Sequence, residues 1–159
     1  MTQVNKPVDL THILQSLPWF LELKSNQCDQ LARISSFLFV DNNTILFSEG
    51  DQEDLLYILL EGRVSIEIDI PTIGTKQICI AEPLDIIGWS SMTPVVRQRT
   101  ARARAIEACQ LVTFRAKSLQ RICEEDPQIG YTVMKRLSNV IASRLLTTRI
   151  QLIDLIMKS

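Results

Sequence analysis

Histidine is all but missing: His12 is the only one in 159 residues. A Ser-His-Asp or Cys-His catalytic set would have to use it, and no neighbour of His12 completes that chemistry. Cysteine is scarce and scattered. Cys28, Cys79, Cys109 and Cys123 form no CxxC pair, which argues against a disulfide framework or a zinc site and reads as small buried hydrophobes in a reducing compartment. Charge of one sign is not in excess. The formal net charge is −1 and the pI about 5.8, whereas a dedicated nucleic-acid binder is usually basic. No apolar run reaches the roughly 18 residues of a membrane span, so no transmembrane helix is expected. Pro7, Asp9 and Glu22 interrupt any signal-peptide core, so a cytoplasmic protein is expected. No paired acid and base, metal-ligand set or activated nucleophile is found, and the chain is not expected to be an enzyme. Internal repeats and low-complexity tracts are also absent.

What is present is a core. Hydrophobic residues make up 46% of the chain, enough for one domain of this length. Residues 1–11 read as a loose N-terminus, with Asp9 or Thr11 able to cap a short helix carrying Ile13 and Leu14. Pro18, Trp19 and Phe20 interrupt it, and Ser25 is expected to cap a second helix with Cys28, Leu31 and Ile34 on one side. The period then shortens. Residues 37–40, 44–47, 55–60, 64–68, 77–80 and 109–114 read as strands, with turns at 41–43, 49–51, 61–62 and 71–75. With the strands of the segment 85–105 there are about eight, turning every eight to twelve residues, as in an antiparallel sandwich or barrel. Residues 116–123 suit a short helix, and Pro127 suits the first turn of a longer one. From Met134 the apolar positions Leu137, Ile141, Leu145, Leu152 and Leu155 step by near-heptad intervals, with Thr148 the polar member. This stripe predicts a homodimer seam.

The segment 85–105, DIIGWSSMTPVVRQRTARARA, is the stretch the chain is organised around. A strand end is followed by Gly88 and by Trp89, Ser90 and Ser91, which can open a helix that Pro94 cuts short. Read with period two, Arg99, Ala101, Ala103 and Ala105 share one face of a strand, and Thr100, Arg102 and Arg104 the other. An inward arginine beside free backbone N–H groups makes an anion site. Arg102 and Arg104 read as a solvated face.

The order of these features is specific: two short helices, a glycine-punctuated β-roll, a short helix followed by an arginine, then a long helix. With the motifs ILFSEGD at 45–51, LYILLEGRV at 56–64, DIIG at 85–88 and RTA at 99–101, the chain resembles the cyclic nucleotide-binding domain, most closely the effector domain of the catabolite-activator/FNR regulators, over residues 12–157. The resemblance implies an α+β fold: an eight-stranded antiparallel, jelly-roll-like β-roll over about 36–115, flanked by short N-terminal helices and a long C-terminal dimerisation helix over about 127–157. The family's phosphate-binding cassette runs Gly-Glu, a short helix, then Arg-Thr/Ser-Ala. Gly88, Arg99 and Thr100 match it, so Arg99 is implied as the phosphate ligand with Thr100 assisting. The ribose-binding glutamate is replaced by Trp89, whose indole N–H donates and cannot accept. Leu84 stands where the family has glycine. Thr148 falls about where the family contacts the base across the dimer, and its neighbour Arg149 departs from the small hydroxyl residue of adenine-specific members. The implied ligand-binding set is therefore Gly88, Trp89, Ser90, Arg99, Thr100 and Thr148.

These expectations describe a stand-alone sensor or regulatory domain, its effector read out by an unknown protein partner. Cyclic nucleotide and a small dicarboxylate such as 2-oxoglutarate, the effector of related nitrogen-control regulators that also lack the glutamate, both remain open as ligands. So does an interaction module that keeps the fold and binds nothing. With only Cys28 before residue 79 an iron–sulfur sensor is not expected. No helix-turn-helix segment follows Met157 before Ser159, so direct DNA binding is not expected either.

Overall fold

A computed structural model describes residues 8–52, 54–96 and 98–159. Eight antiparallel strands form two four-stranded sheets, and four α-helices cover one of them. In chain order the elements are α1 (Leu10–Ser16), α2 (Ser25–Arg33), β1 (Ser35–Val40), β2 (Ile45–Phe47), β3 (Leu55–Glu61), β4 (Val64–Ile70), β5 (Gly74–Ala81), β6 (Ile86–Ile87), β7 (Arg102–Ala105), β8 (Cys109–Arg115), α3 (Ala116–Glu125) and α4 (Pro127–Lys158). The sheets run β1-β8-β3-β6 and β2-β7-β4-β5. This is the α+β roll that the sequence predicts.

Strand β3 explains why residues 55–60 show no alternation. It lies in the middle of the first sheet, and both its faces are buried. Leu56 and Ile58 pack with Val112 and Phe114 of β8 against the helices, in a core shared with Leu14, Leu31, Leu119, Ile129 and Leu137. Tyr57 and Leu59 point the other way, into a second core between the sheets with Phe47, Val64, Ile87, Ala103, Ala105 and Leu111. A strand covered on both sides loses its polar face and reads as a continuous apolar run. Strand β4 keeps the alternation, with Val64 and Ile66 inward and Ser65 and Glu67 outward.

Four local expectations change. Helix α1 starts at Leu10, with the Asp9 carboxylate accepting from the His12 backbone N–H at 3.1 Å, so Leu10 and Thr11 belong to the fold. Of the proposed loose N-terminus, residues 1–7 lie outside the described residues. The N-cap of α2 is Lys24 rather than Ser25: the Lys24 N–H donates to Gln27 Oε1 at 2.8 Å, while the Ser25 hydroxyl accepts from Gln15 of α1. The strand after the cassette begins only at Arg102, because the backbone of Arg99 is engaged by the turn at Gly50 and Asp51 instead of by a ladder. Arg102 and Arg104 are not a solvated face. Their guanidinium groups clamp Glu67 of β4, which is 3% exposed.

Leu84 adopts φ 76°, the left-handed conformation that the glycine of the resembling family would supply. The position keeps that backbone shape without glycine, at a cost of about 1–2 kcal/mol. The turn it makes directs the Leu84 N–H to Leu59 O at 2.7 Å and sets Asp85 just ahead of β6.

Candidate functional site

The site is assembled from three pieces of chain that the roll brings together. The first is the turn after β2. Gly50 N–H donates to Arg99 O at 2.8 Å, and Arg99 N–H donates to Asp51 O at 2.9 Å. This pairing positions the arginine without a regular strand. The second piece is the loop after β6. Gly88 has φ 78° and leads into the short helix expected, a single 3-10 turn over Trp89–Met92. A Cβ at Gly88 would stand 2.7 Å from Arg99 Nη1 and 2.8 Å from Leu55 O. Both the backbone shape and the space therefore require glycine there. The third piece is the middle of α4.

Arg99 is 3% exposed. Its Nη1 donates to Gly88 O at 2.9 Å and lies 3.5 Å from Ser90 Oγ, and its Nη2 donates to Leu55 O at 2.5 Å. The guanidinium sits over the ring of Phe47, 4.3 Å from its centroid. Cation–π contact and charge-assisted hydrogen bonds to carbonyl oxygens hold the fork in one orientation.

Around this group lies a cavity of about 200 Å³. All six residues implied by the sequence, Gly88, Trp89, Ser90, Arg99, Thr100 and Thr148, line it. Phe47, Ile66, Ile78, Ile86 and Ile87 make its apolar walls. Trp89 is shared between this cavity and the helix-side core. The Thr148 hydroxyl donates to Arg144 O of its own helix at 2.9 Å, which leaves its oxygen an acceptor toward the cavity.

Sequence reasoning missed Arg144, Thr147 and Gln151, which form the α4 wall together with Thr148. Their spacing contains the signal: 144, 147, 148 and 151 fall on one face of a helix, so locating Thr148 would have located the others. Arg144 Nη2 lies 3.7 Å from Asp85 Oδ2, and Gln151 Nε2 donates to Ile78 O at 2.7 Å. Cys79 also lines the cavity, its thiol pKa pushed up by burial, with the nearby Arg144 charge opposing. All four cysteines are free. Among the described residues, no group of three or more His, Cys, Asp or Glu side chains is placed to hold a metal ion, and no helix is long and apolar enough to cross a membrane.

A buried arginine under a glycine turn, at the mouth of a two-sheet roll closed by a long helix, defines a class of regulatory ligand-binding domain. The chain belongs to the cyclic nucleotide-binding domain family, whose profile matches residues 37–126. The match covers the roll and the cassette and stops where α4 begins. Similar solved structures include a cyclic nucleotide-binding domain from Methylobacillus flagellatus (22% identity, TM-score 0.76, covering 91% of this chain and 81% of that one). The sensor domain of the transcriptional regulator DNR from Pseudomonas aeruginosa matches at 22% identity and TM-score 0.70, over 85% and 90% of the two chains. The catabolite activator protein of Thermus thermophilus matches at 20% identity and TM-score 0.68, with 88% of this chain covering 63% of that one. At these identities the likeness is one of fold. No curated protein matches the chain.

Proposed function

We propose that this chain is a cytoplasmic sensor domain that binds a small anionic effector at Arg99 and signals through α4, without catalysis. The observation that carries this reading is the burial of the Arg99 guanidinium, fixed by two carbonyls and Phe47, beside a cavity that all six expected ligand residues line. A cyclic nucleotide is the first candidate, since the phosphate half of the family's cassette is kept at Arg99 and Thr100. The sugar half is not. With Trp89 in place of the glutamate, a buried ribose hydroxyl lacks its acceptor, a loss of about 1–3 kcal/mol. A second reading, a small dicarboxylate such as 2-oxoglutarate, is favoured by a specific feature: Arg144 places a second guanidinium in the wall of the same cavity. A dicarboxylate has a second anionic group to meet it and no ribose to satisfy.

Titration calorimetry of cyclic AMP, cyclic GMP and 2-oxoglutarate against the wild type, Arg99→Ala and Arg144→Ala decides among these. Arg99→Ala is expected to weaken binding about tenfold to a hundredfold, the worth of a charge-assisted hydrogen bond or two. Equal weakening by Arg144→Ala selects the dicarboxylate. Binding that survives Arg99→Ala unchanged removes Arg99 as the anchor, and a wild type that binds none of the three leaves the ligand-free interaction module. We further infer that the exposed apolar half of α4 pairs with a second copy of the chain, so that the effector state is presented by a dimer to a protein partner.

A further inference from the structure

The polar groups of the cavity wall are not alike in what they offer a ligand. On α4 the Thr147 and Thr148 hydroxyls donate to Ser143 O and Arg144 O, at 3.0 and 2.9 Å, and the Gln151 amide donates to Ile78 O at 2.7 Å. What these three keep for a ligand is acceptor oxygen. On the side of the roll the polarity is reversed. Arg99 carries donors only, and its Nη1 is held at 2.9 Å by the carbonyl of Gly88, the residue before Trp89. Trp89 adds an indole N–H, which also donates only. Its side chain is half-buried and shared between the cavity wall and the apolar helix-side core. Among the described residues none accepts a hydrogen bond from Trp89 Nε1, and that atom is not sealed from solvent. An indole N–H turned into the core would be both buried and orphaned, so the open N–H belongs to the cavity side of the ring. No Asp or Glu lines the cavity among the described residues, so no carboxylate of the chain takes that donor.

We propose that Trp89 is a specificity-determining donor of this site: its indole N–H hydrogen-bonds an oxygen of the same anionic group that Arg99 anchors. The roll side of the cavity then selects an oxyanion, a carboxylate or a phosphate, over a group that presents only N–H or C–H. The inference rests on the reading of the cavity as the effector site and adds the residue that sets the chemistry of the effector's anionic end. An ionised carboxylate has two oxygens and about four lone-pair sites, enough to meet a guanidinium and an indole together. The cavity, about 200 Å³, is smaller than the roughly 300–1,000 Å³ of pockets for drug-sized ligands, so both donors act on one compact ligand.

The test uses the intact chain, which has two tryptophans, Trp19 and Trp89. A nitrogen-15 correlation spectrum therefore shows two indole N–H signals, assigned by the one that disappears in Trp19→Phe or Trp89→Phe. The probes are 2-oxoglutarate, which offers carboxylates, and cyclic AMP, which offers a phosphate. On binding, the Trp89 indole proton is expected to move downfield and to exchange more slowly with water. Trp19, which lines a separate groove with Arg136 and Asn139, should keep its signal. Trp89→Phe keeps an aromatic ring and removes the N–H, and is expected to weaken the same probe about tenfold to a hundredfold, the range of one hydrogen bond to a charged group. A downfield shift with either probe supports the donor and tells which source supplies the oxyanion. Binding that leaves the Trp89 proton unmoved overturns the proposal, even where Trp89→Phe weakens it, because lost packing alone would do that; the Arg99 anchor then still stands on its own titration. If neither probe binds, the effector reading fails and the proposal fails with it. The spectrum is read on the wild type, so the outcome does not depend on Trp89→Phe folding.

Discussion

Glu67 is taken almost wholly out of water on the outward side of β4 and remains charged there. Arg104 bonds to one carboxylate oxygen through both Nε and Nη2, and Arg102 Nε bonds to the other at 3.1 Å. The hydrogen bonds from Arg104 hold its pKa below the usual carboxylate range, against the desolvation that would raise it. Because the folded value lies below the unfolded one, the stabilisation is complete above the unfolded carboxylate pKa of about 4.3 and is lost as pH falls through the folded value. Glu67→Gln is expected to cost about 1–2 kcal/mol at pH 7, discounted for the part-exposed arginines. In urea unfolding the gap between variant and wild type should be constant from pH 6 to 8 and shrink below pH 4. A gap independent of pH would mean that the charge is not what matters. In the sequence these residues were a solvated arginine face, because alternation records which side of a strand a residue takes and not what lies across the sheet. The place of Arg99 in the cavity wall was legible for the opposite reason: it follows a local motif, Arg-Thr-Ala after a glycine turn.

Among the elements, the contact of α3 with α4 depends on one glycine. A Cβ at Gly130 would lie 2.5 Å from the Cys123 carbonyl oxygen and 3.4 Å from its Cα. These are backbone atoms, so a rotamer change cannot relieve the clash and the helices must separate. Burial between these helices also raises the Cys123 thiol to about 11. Gly130→Ala should therefore destabilise by about 1–3 kcal/mol, although alanine improves intrinsic helix propensity by about 1 kcal/mol. A thermal melt as stable as wild type would show that the crossing can yield. The sequence placed α3 and α4 correctly, and β3, β4 and β8 to within a residue or two at each end, because their period and punctuation are local. It extended the strand after Arg99 too far, because the alternation Arg-Thr-Ala-Arg-Ala-Arg-Ala continues past the point where the Gly50 turn takes over the backbone.

On the scale of the whole molecule, α4 divides in two. Leu137 is buried and Val140 and Ile141 pack against the helix-side core, whereas Leu145 is 69% exposed and Leu152, Leu155 and Ile156 are exposed beyond it. The single stripe in the sequence thus serves the fold at one end and has no partner among the described residues at the other. An exposed apolar surface of this kind marks an interaction site. Sedimentation of the wild type at tens of micromolar is expected to give a dimer, and Leu145→Asp a monomer with an unchanged far-ultraviolet spectrum. A monomeric wild type would count against the seam.

By itself the sequence determined the roll, the order of its helices and the Arg99 end of the cavity, since turn glycines, strand and helix periods and the Arg-Thr-Ala motif are properties of contiguous residues. The tertiary structure alone decided which residues of α4 complete the cavity, that Glu67 rather than solvent meets Arg102 and Arg104, and that Gln151 donates to the Ile78 carbonyl. Each of these joins residues far apart in the chain, and the register, crossing and closure that bring them together are written in no single stretch of it.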